Sequence, residues 1–300
     1  MTTPLKPGVH CVMATPFLPD ESLDEASLAT LIHYLVEGGC DGILILGVLG
    51  EADKLSDAER DHMIAKSIAL SAGRLQVSVG ITHNSTNVTR DRALACVEAG
   101  AAAVMVSPPP GIAAGPALKE HFRRIAADLP IPFIIQDHPI SSGVKLPVEF
   151  IAGLFEHMPP NSVVKLEDPP TAPKMKRLLE LAPGFQLFGG LGGVSLLHEL
   201  DAGSSGAMTG FALPELLVAI VQAHQSGNRE RAREIFEAAL PLMAFEAQPG
   251  AGVALRKELL KRRGALAYAT VRQPAPTPDA FTLQLLDQLL ASAPLAMSRA

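Results

Sequence analysis

The chain has 300 residues, of which 48% are hydrophobic and 19% are charged, which suits one large domain or two smaller ones. Acidic side chains outnumber basic ones by 31 to 25, and the lack of a basic run argues against nucleic acid as a partner. No apolar stretch is long enough to span a membrane, and the N-terminus lacks a signal-peptide pattern. Cys11, Cys40 and Cys96 are too widely spaced to indicate a disulfide framework or a zinc site. We therefore expect a cytoplasmic protein without membrane or nucleic-acid partners.

Short apolar runs alternate with helical patterns up to about residue 225. Several runs are apolar at every position, which is typical of strands covered on both faces and indicates a parallel sheet. The predicted strands are 10–17, 42–47, 76–81, 103–108, 132–138, 162–168, 185–190 and 206–210.

Two helix starts show a Ser followed three residues later by Glu, at Ser22 and at Ser56, and both predict a capping box. The remaining helices between the strands are predicted at about 86–98, 116–128, 147–157, 172–182, 194–201 and 212–226. Eight strand–helix units predict an α/β fold, a (β/α)₈ TIM barrel. A doubly wound open sheet is the alternative, but the first strand–helix turn has no G-x-G-x-x-G.

The chain changes character after about residue 226. Three helical patterns, 228–245, 252–263 and 278–290, follow one another without a strand between them. The sequence therefore predicts a catalytic barrel over 1–226 and a C-terminal three-helix extension over 227–300.

The reacting groups of such barrels lie at the carboxyl ends of the strands. Lys165 is late in the sixth predicted strand, on the same face as Val163 and Glu167. Apolar surroundings disfavour the charged amine and free it for attack on a carbonyl, so Lys165 is a candidate nucleophile. The alternative is a lysine at the barrel rim that is ion-paired with Glu167.

Glycines mark two further turns at this end of the barrel. Gly47 and Gly50 enclose Val48 and Leu49, and backbone N–H groups in such a turn can face a carboxylate, although a plain tight turn has the same pattern. Four glycines within 189–193 precede a helix, where barrels often bind an anion. Bare backbone could instead simply leave room for a bulky ligand.

Polar side chains also end the fifth predicted strand, at Gln136, Asp137 and His138. His138 can exchange protons near neutral pH. Asp137, His138 and Glu167 could together bind a metal ion, but no ligand spacing specifies such a site, and we predict none.

Taken together, these stretches resemble the dihydrodipicolinate synthase and N-acetylneuraminate lyase superfamily, the class I pyruvate-type aldolases. The similarity covers nearly the whole chain and rests on Thr15-Pro16-Phe17, Gly47-x-x-Gly50-Glu51, Pro139 with Gly143, Val164-Lys165, Gly206-Ala207-Met208-Thr209-Gly210 and Leu260-Lys261-Arg262-Arg263-Gly264.

The resemblance implies a homotetramer or homodimer in which Lys165 forms a Schiff base with a 2-oxo acid, with no metal or organic cofactor. It places His138, Glu167 and Gln136 beside the nucleophile. It assigns substrate contacts to Thr15, Gly47, Val48, Leu49, Gly50, Glu51, Gly190, Gly192, Thr209 and Gly210.

The chain departs from the family where protons and carboxylates are handled. Gln136 stands where members have a proton-relay tyrosine, Val48 and Leu49 replace hydroxyl-bearing residues, and Ser141 replaces an arginine. Glutamine has no useful pKa, so His138, Glu167 and an ordered water are the candidate relays, in that order.

These departures favour a divergent lyase, an aldolase or dehydratase that acts on pyruvate or a hydroxylated 2-oxo acid, and dihydrodipicolinate synthase proper stays an alternative. A member of the same fold that binds 2-oxo acids or sugar acids without turnover is the main alternative. A metal-dependent class II aldolase is a further one.

Overall fold

Eight parallel strands pair in chain order and close into a barrel, because β1 pairs with both β2 and β8. This computed structural model describes residues 2–295. The strands are β1 (Gly8–Val12), β2 (Gly42–Ile45), β3 (Gln76–Gly80), β4 (Ala103–Val106), β5 (Phe133–Asp137), β6 (Val163–Leu166), β7 (Gln186–Gly189) and β8 (Gly206–Thr209). The (β/α)₈ TIM-barrel prediction is confirmed.

Helices follow the strands and surround the barrel. They are α1 (Glu25–Glu37), α2 (Asp57–Ser71), α3 (Thr86–Ala99), α4 (Pro116–Ala126), α5 (Pro139–Ser142), α6 (Val148–Ala152), α7 (Thr171–Leu181), α8 (Leu196–Asp201) and α9 (Pro214–Gln225). Short 3₁₀ turns lie at Val48–Gly50, Ala52–Lys54, Phe155–His157 and Leu191–Gly193.

The extension consists of α10 (Arg229–Glu246), α11 (Gly252–Arg262) and α12 (Ala280–Ala291), as predicted. Its first helix packs against α9. The last five residues of the predicted extension, 296–300, lie outside the described residues.

The strands are covered on both faces, which explains their continuous apolarity. An interior cluster fills the barrel, and a second, larger cluster lies between the strands and the helices. The interior cluster consists of Leu5, Val12, Leu44, Ala103, Met105, Ile134, Val163, Phe188 and Met208. The predicted strands are too long at their carboxyl ends, because the chain leaves the ladder there to form the loops around the barrel mouth.

Helix starts and breaks account for the other differences. The capping box at Ser56 is confirmed, but the one predicted at Ser22 is wrong, because the Asp24 carboxylate accepts the Ser27 N–H and is the N-cap of α1. The predicted helix 147–157 is two short segments, α6 and the 3₁₀ turn Phe155–His157, with Gly153 as the C-cap of the first. Over residues 2–295 no helix is long and apolar enough to cross a membrane.

Candidate active site

Lys165 points into the barrel at its carboxyl end. It lies two residues after the interior side chain of Val163, and in the ladder it is opposite Gln136 of β5 and Phe188 of β7. The lysine is only 4% exposed. Strand alternation therefore places its amine above the apolar interior cluster, at the level where the barrel opens.

Glu167 is the polar partner of this amine. Its Oε2 lies 3.2 Å from Lys165 Nζ and accepts a hydrogen bond of 2.8 Å from Gln136 Nε2, while its Oε1 accepts the Leu191 N–H at 3.3 Å. Burial alone would raise the pKa of Glu167, but Lys165, His138 and these two hydrogen bonds outweigh burial and lower it. The carboxylate is therefore ionised in the site. The structure thus contains features of both interpretations of Lys165: the amine borders the cavity, as a nucleophile must, and it is also ion-paired with Glu167.

His138 borders the same space, whereas Asp137 does not. Burial lowers the pKa of His138, and its Nδ1 has no hydrogen-bond partner among the described residues. The Asp137 carboxylate faces the opposite side of the strand and pairs with Lys174 at 2.6 Å. The metal trio considered from the sequence is therefore not assembled, and no cluster suited to a metal ion is found within residues 2–295.

A cavity of about 570 Å³ opens above Lys165. Eight of the residues predicted for the site line it: Gln136, His138, Lys165, Glu167, Val48, Leu49, Gly192 and Thr209. Gly47 lines a neighbouring cavity of about 540 Å³, which shares Val48, Gln136 and Ser141 with the first. Tyr34 and Tyr268 line neither cavity.

The turn after β2 brings free backbone donors to the mouth. Leu46 has a left-handed φ of 56°, an uncommon conformation for a leucine, and it turns the chain into the 3₁₀ segment Val48–Gly50. In the described structure the N–H groups of Val48 and Leu49 donate to no other group. Thr15 does not line the cavity; its hydroxyl donates to the Gly50 carbonyl at 2.6 Å and holds the turn in place.

Glu51 is turned away from the cavity, contrary to its predicted substrate contact. Its Oε1 accepts from Lys257 Nζ at 2.6 Å, and its Oε2 accepts from Lys54 Nζ and from the Arg272 N–H at 3.0 Å each. The carboxylate is buried among these three donors and lines neither cavity. Glu51 instead joins the barrel to the C-terminal extension.

The predicted glycines make room for side chains. A Cβ on Gly190 would lie 2.2 Å from Glu167 Oε1, so this glycine lets Glu167 reach the lysine. Gly192 has φ 69° and donates its N–H to the Thr209 hydroxyl at 2.8 Å. A Cβ on Gly210 would lie 2.4 Å from Nη1 of Arg256. Gly190 and Gly210 thus act through their neighbours and do not line the cavity.

The extension supplies two residues that the sequence analysis missed. Arg256 of α11 and Glu246 of α10 both line the cavity, and Nε of Arg256 donates to Glu246 Oε1. Burial raises the pKa of Glu246, and the guanidinium acts against that shift because it favours the carboxylate. The available signal was weak: a buried Arg-Lys pair interrupts the apolar face of α11 between Leu255 and Leu259.

Residues 6–292 match the Dihydrodipicolinate synthetase family. The chain belongs to this family. It is 32% identical over 282 residues to "L-2-keto-3-deoxyarabonate dehydratase" of Azospirillum brasilense, covering 92% of this chain and 90% of that protein. It is 30% identical over 272 residues to "Probable 4-hydroxy-2-oxoglutarate aldolase, mitochondrial" of Emericella nidulans, covering 87% of each.

Among solved structures, the dihydrodipicolinate synthase of Rhodopseudomonas palustris superposes with a TM-score of 0.90 at 31% identity, over 97% of this chain and all of that one. The relatives are a dehydratase, an aldolase and a synthase, and the chain is accordingly a lyase of the dihydrodipicolinate synthetase family.

Proposed function

We propose that this family member is a Schiff-base-forming lyase, an aldolase or dehydratase, that acts on pyruvate or a hydroxylated 2-oxo acid through Lys165. One observation carries the proposal: the buried Lys165 amine lies 3.2 Å from Glu167 and opens on a cavity of about 570 Å³. A nucleophilic lysine needs a nearby proton acceptor and space for the carbonyl, and this site supplies both.

Imine formation uses the two partners directly. Glu167 accepts the proton that the Lys165 ammonium must lose, and the free amine attacks the C2 ketone. The carbinolamine then expels its oxygen as water, with a proton returned by Glu167, and leaves a protonated imine. The imine draws electrons from C3, so that loss of a C3 proton gives an enamine without a metal ion.

Two outcomes are open to a 4-hydroxy-2-oxo acid. In dehydration the enamine expels the C4 hydroxyl, which takes up the proton that was removed from C3 and leaves as water. In aldol cleavage the relay removes the C4 hydroxyl proton from the imine, the C3–C4 bond breaks, an aldehyde leaves and the enamine remains. We place Glu167 ahead of His138 as the relay, reversing the order expected from the sequence, because Glu167 already contacts the amine. The lowered pKa of His138 keeps it neutral near pH 7, which suits a proton acceptor better than a donor.

The substrate carboxylate is assigned to the turn after β2. The unpaired N–H groups of Val48 and Leu49 are suitable donors for an anion beside the lysine. This arrangement uses only backbone atoms, so it tolerates the loss of the hydroxyl side chains that related enzymes have there.

Borohydride trapping tests the proposal. Incubation with pyruvate and sodium borohydride should add the mass of one reduced pyruvate to the peptide that contains Lys165. A panel of 2-oxo acids, including 2-keto-3-deoxy sugar acids, should then reveal a product by mass spectrometry. No adduct with any of these acids, with turnover unchanged in Lys165→Ala, contradicts the proposal.

Gln136 favours one alternative, a 2-oxo acid or sugar-acid binder without turnover. Its amide donates to Glu167 at the position where a proton relay is expected, and no tyrosine lines the cavity. An adduct on Lys165 without product from any substrate in the panel supports the binder and excludes the lyase.

Oligomeric state and location stay predictions: a homotetramer or homodimer in the cytoplasm. Ile140 and Val48, both at the mouth of the cavity, are 71% and 51% exposed in the single chain. Apolar side chains this exposed are expected where a second copy covers them. Light scattering on the purified protein measures the state directly.

A further inference from the structure

The wall of the cavity opposite the barrel contains an arginine with uncommitted donors. Arg256 is 3% exposed, and within the described residues only its Nε donates a hydrogen bond, to Glu246. Its Nη1 is buried without a partner. Nη1 packs against Gly210, outside the cavity lining, so the donor that a ligand can reach is Nη2, to which the described residues supply no acceptor. An uncommitted guanidinium donor beside a cavity points to an acceptor that is supplied from the cavity.

Gly210 and Glu246 fix the position of this arginine. Gly210, directly after β8, leaves the space for Nη1, which a Cβ there would approach to 2.4 Å. Glu246 bonds Nε and also accepts the Ala212 N–H at 3.0 Å, which ties the pair to the loop after β8. The guanidinium is therefore a fixed part of the cavity wall rather than a flexible surface group.

Charge decides which acceptor fits. Glu246 already balances Arg256, and Lys165 is balanced by Glu167. Lys165 and Arg256 are the lysine and arginine among the described residues that line this cavity, and each already faces a glutamate. A 2-oxo acid brings one carboxylate, and a second carboxylate would add a negative charge that neither cation is left to balance. Hydroxyl oxygens accept from the guanidinium without adding charge.

We propose that Arg256 and Glu246 form a charge-balanced subsite for the far hydroxyl groups of a hydroxylated 2-oxo acid, and that it selects against 2-oxo acids ending in a second carboxylate. The proposal rests on the proposed function of the site and names its substrate class: five- or six-carbon deoxy sugar acids with a neutral end. Arg256 is then a specificity-determining residue.

Two five-carbon compounds form a matched pair of probes. 2-Keto-3-deoxyarabonate and 4-hydroxy-2-oxoglutarate differ only at C5, which is CH₂OH in the first and a carboxylate in the second. The wild type should favour the first by about tenfold or more, the value of one charged hydrogen bond, both in calorimetric binding and in kcat/KM. Equal values, or a preference for the dicarboxylate, overturn the proposal.

Variants separate the two residues of the subsite. Glu246→Gln leaves the arginine charge unbalanced and should shift the preference toward 4-hydroxy-2-oxoglutarate by about tenfold. Arg256→Lys keeps the charge but loses the planar donor pair, so KM for 2-keto-3-deoxyarabonate should rise relative to that for pyruvate, which has no C4 or C5. Arg262→Lys, the same exchange on the same helix away from the cavity, is the control. If Glu246→Gln and Arg256→Lys match this control, the subsite is refuted.

Failure of the proposed function gives a different result. If pyruvate and borohydride leave wild-type Lys165 unmodified, the Schiff base is refuted, while the calorimetric preference between the two probes still decides the role of Arg256.

Discussion

Two buried lysines of this chain, Lys165 in the barrel and Lys257 in the extension, each face a glutamate. Lys257 is fully buried, lies 2.6 Å from Glu51, donates to the Thr270 carbonyl at 2.8 Å and sits 4.3 Å from the centre of the Phe17 ring. Lys165 has a longer ion pair and borders a cavity, and no further polar partner of its amine is found in the described structure. One amine is enclosed by its partners, and the other is open to a ligand.

The difference shows that a shifted pKa alone does not identify a nucleophile. Burial lowers the pKa of Lys257 to about 8 in spite of Glu51, so a search for perturbed lysines selects Lys257. The Lys257 side chain is fully buried and lines neither cavity at the barrel mouth, so a ketone there cannot reach its amine. The feature that distinguishes the proposed nucleophile, Lys165, from the structural Lys257 is the cavity beside its amine.

The largest effect is expected at Lys165. Lys165→Arg keeps a cation beside Glu167 but cannot form an imine, so kcat should fall about a thousandfold or more and the borohydride adduct should disappear. Single-turnover kinetics and intact-protein mass spectrometry measure both quantities. An adduct that persists in this variant would place the nucleophile elsewhere and remove the contrast between the two lysines.

Lys257→Met should affect stability rather than chemistry. Loss of the cation leaves the Glu51 carboxylate buried with weaker compensation, and the free energy of unfolding should fall by about 3 kcal/mol. Chemical denaturation measures the change, and the double variant with Glu51→Gln should recover part of it. The folded variant should still form the Lys165 adduct; a folded protein without the adduct contradicts the structural role.

Gly190→Ala tests whether turnover depends on Glu167, the ion-pair partner of Lys165. The added methyl group collides with the Glu167 carboxylate, since a Cβ there lies 2.2 Å from Oε1. Displacement of that proton acceptor should lower kcat about tenfold to a hundredfold. Gly115→Ala, at an extended φ of −173° where an added Cβ has its nearest neighbour at 3.9 Å, is a control for glycine replacement. Similar kcat values for the two variants would show that Glu167 has no such role.

The smallest effect concerns Glu199, a buried carboxyl beside β7. Burial, reinforced by Glu167 and opposed by the Thr171 hydroxyl, raises its pKa from an ordinary 4.5 to about 7. Because the folded pKa is the higher one, the stabilising protonated form is complete below about pH 4.5 and is lost as the pH rises through about 7. Wild-type unfolding free energy should therefore drop between pH 5.5 and pH 8 by about 1 to 3 kcal/mol.

Glu199→Gln should flatten that dependence, because the amide has no proton to lose in this range. Urea midpoints at both pH values provide the comparison. An equally steep decline in the variant would assign the pH dependence to another group, such as Asp137, whose pKa burial raises to about 6 despite Lys174.

Local patterns predicted the barrel and its central lysine. Strands buried on both faces must be apolar throughout, and a period of two places Lys165 with Val163 and Glu167. The capping box at Ser56 was also predictable from local sequence, because both of its hydrogen bonds join Ser56 to Glu59, three residues later. The Ser22 prediction failed because the Ser22 hydroxyl donates to Asp20, and the Asp24 carboxylate accepts the Ser27 N–H and starts the helix two residues later.

The far wall of the cavity was beyond local reasoning. Glu246 and Arg256 reach the cavity from helices that begin at Arg229 and Gly252, well after the last strand, and no spacing rule relates them to the strands. Glu51 was misplaced for a similar reason, because its partner Lys257 is 206 residues away in the sequence. Long-range charge pairing decided both positions.

Two adjacent residues of α11 make different contacts: Arg256 borders the cavity, and Lys257 binds the barrel through its ion pair with Glu51. A growing polypeptide can complete all eight strands before either residue has been synthesised. The cavity wall is therefore complete only when α11 has docked on the barrel. A ligand that contacts both the barrel and α11 should stabilise the docked helix.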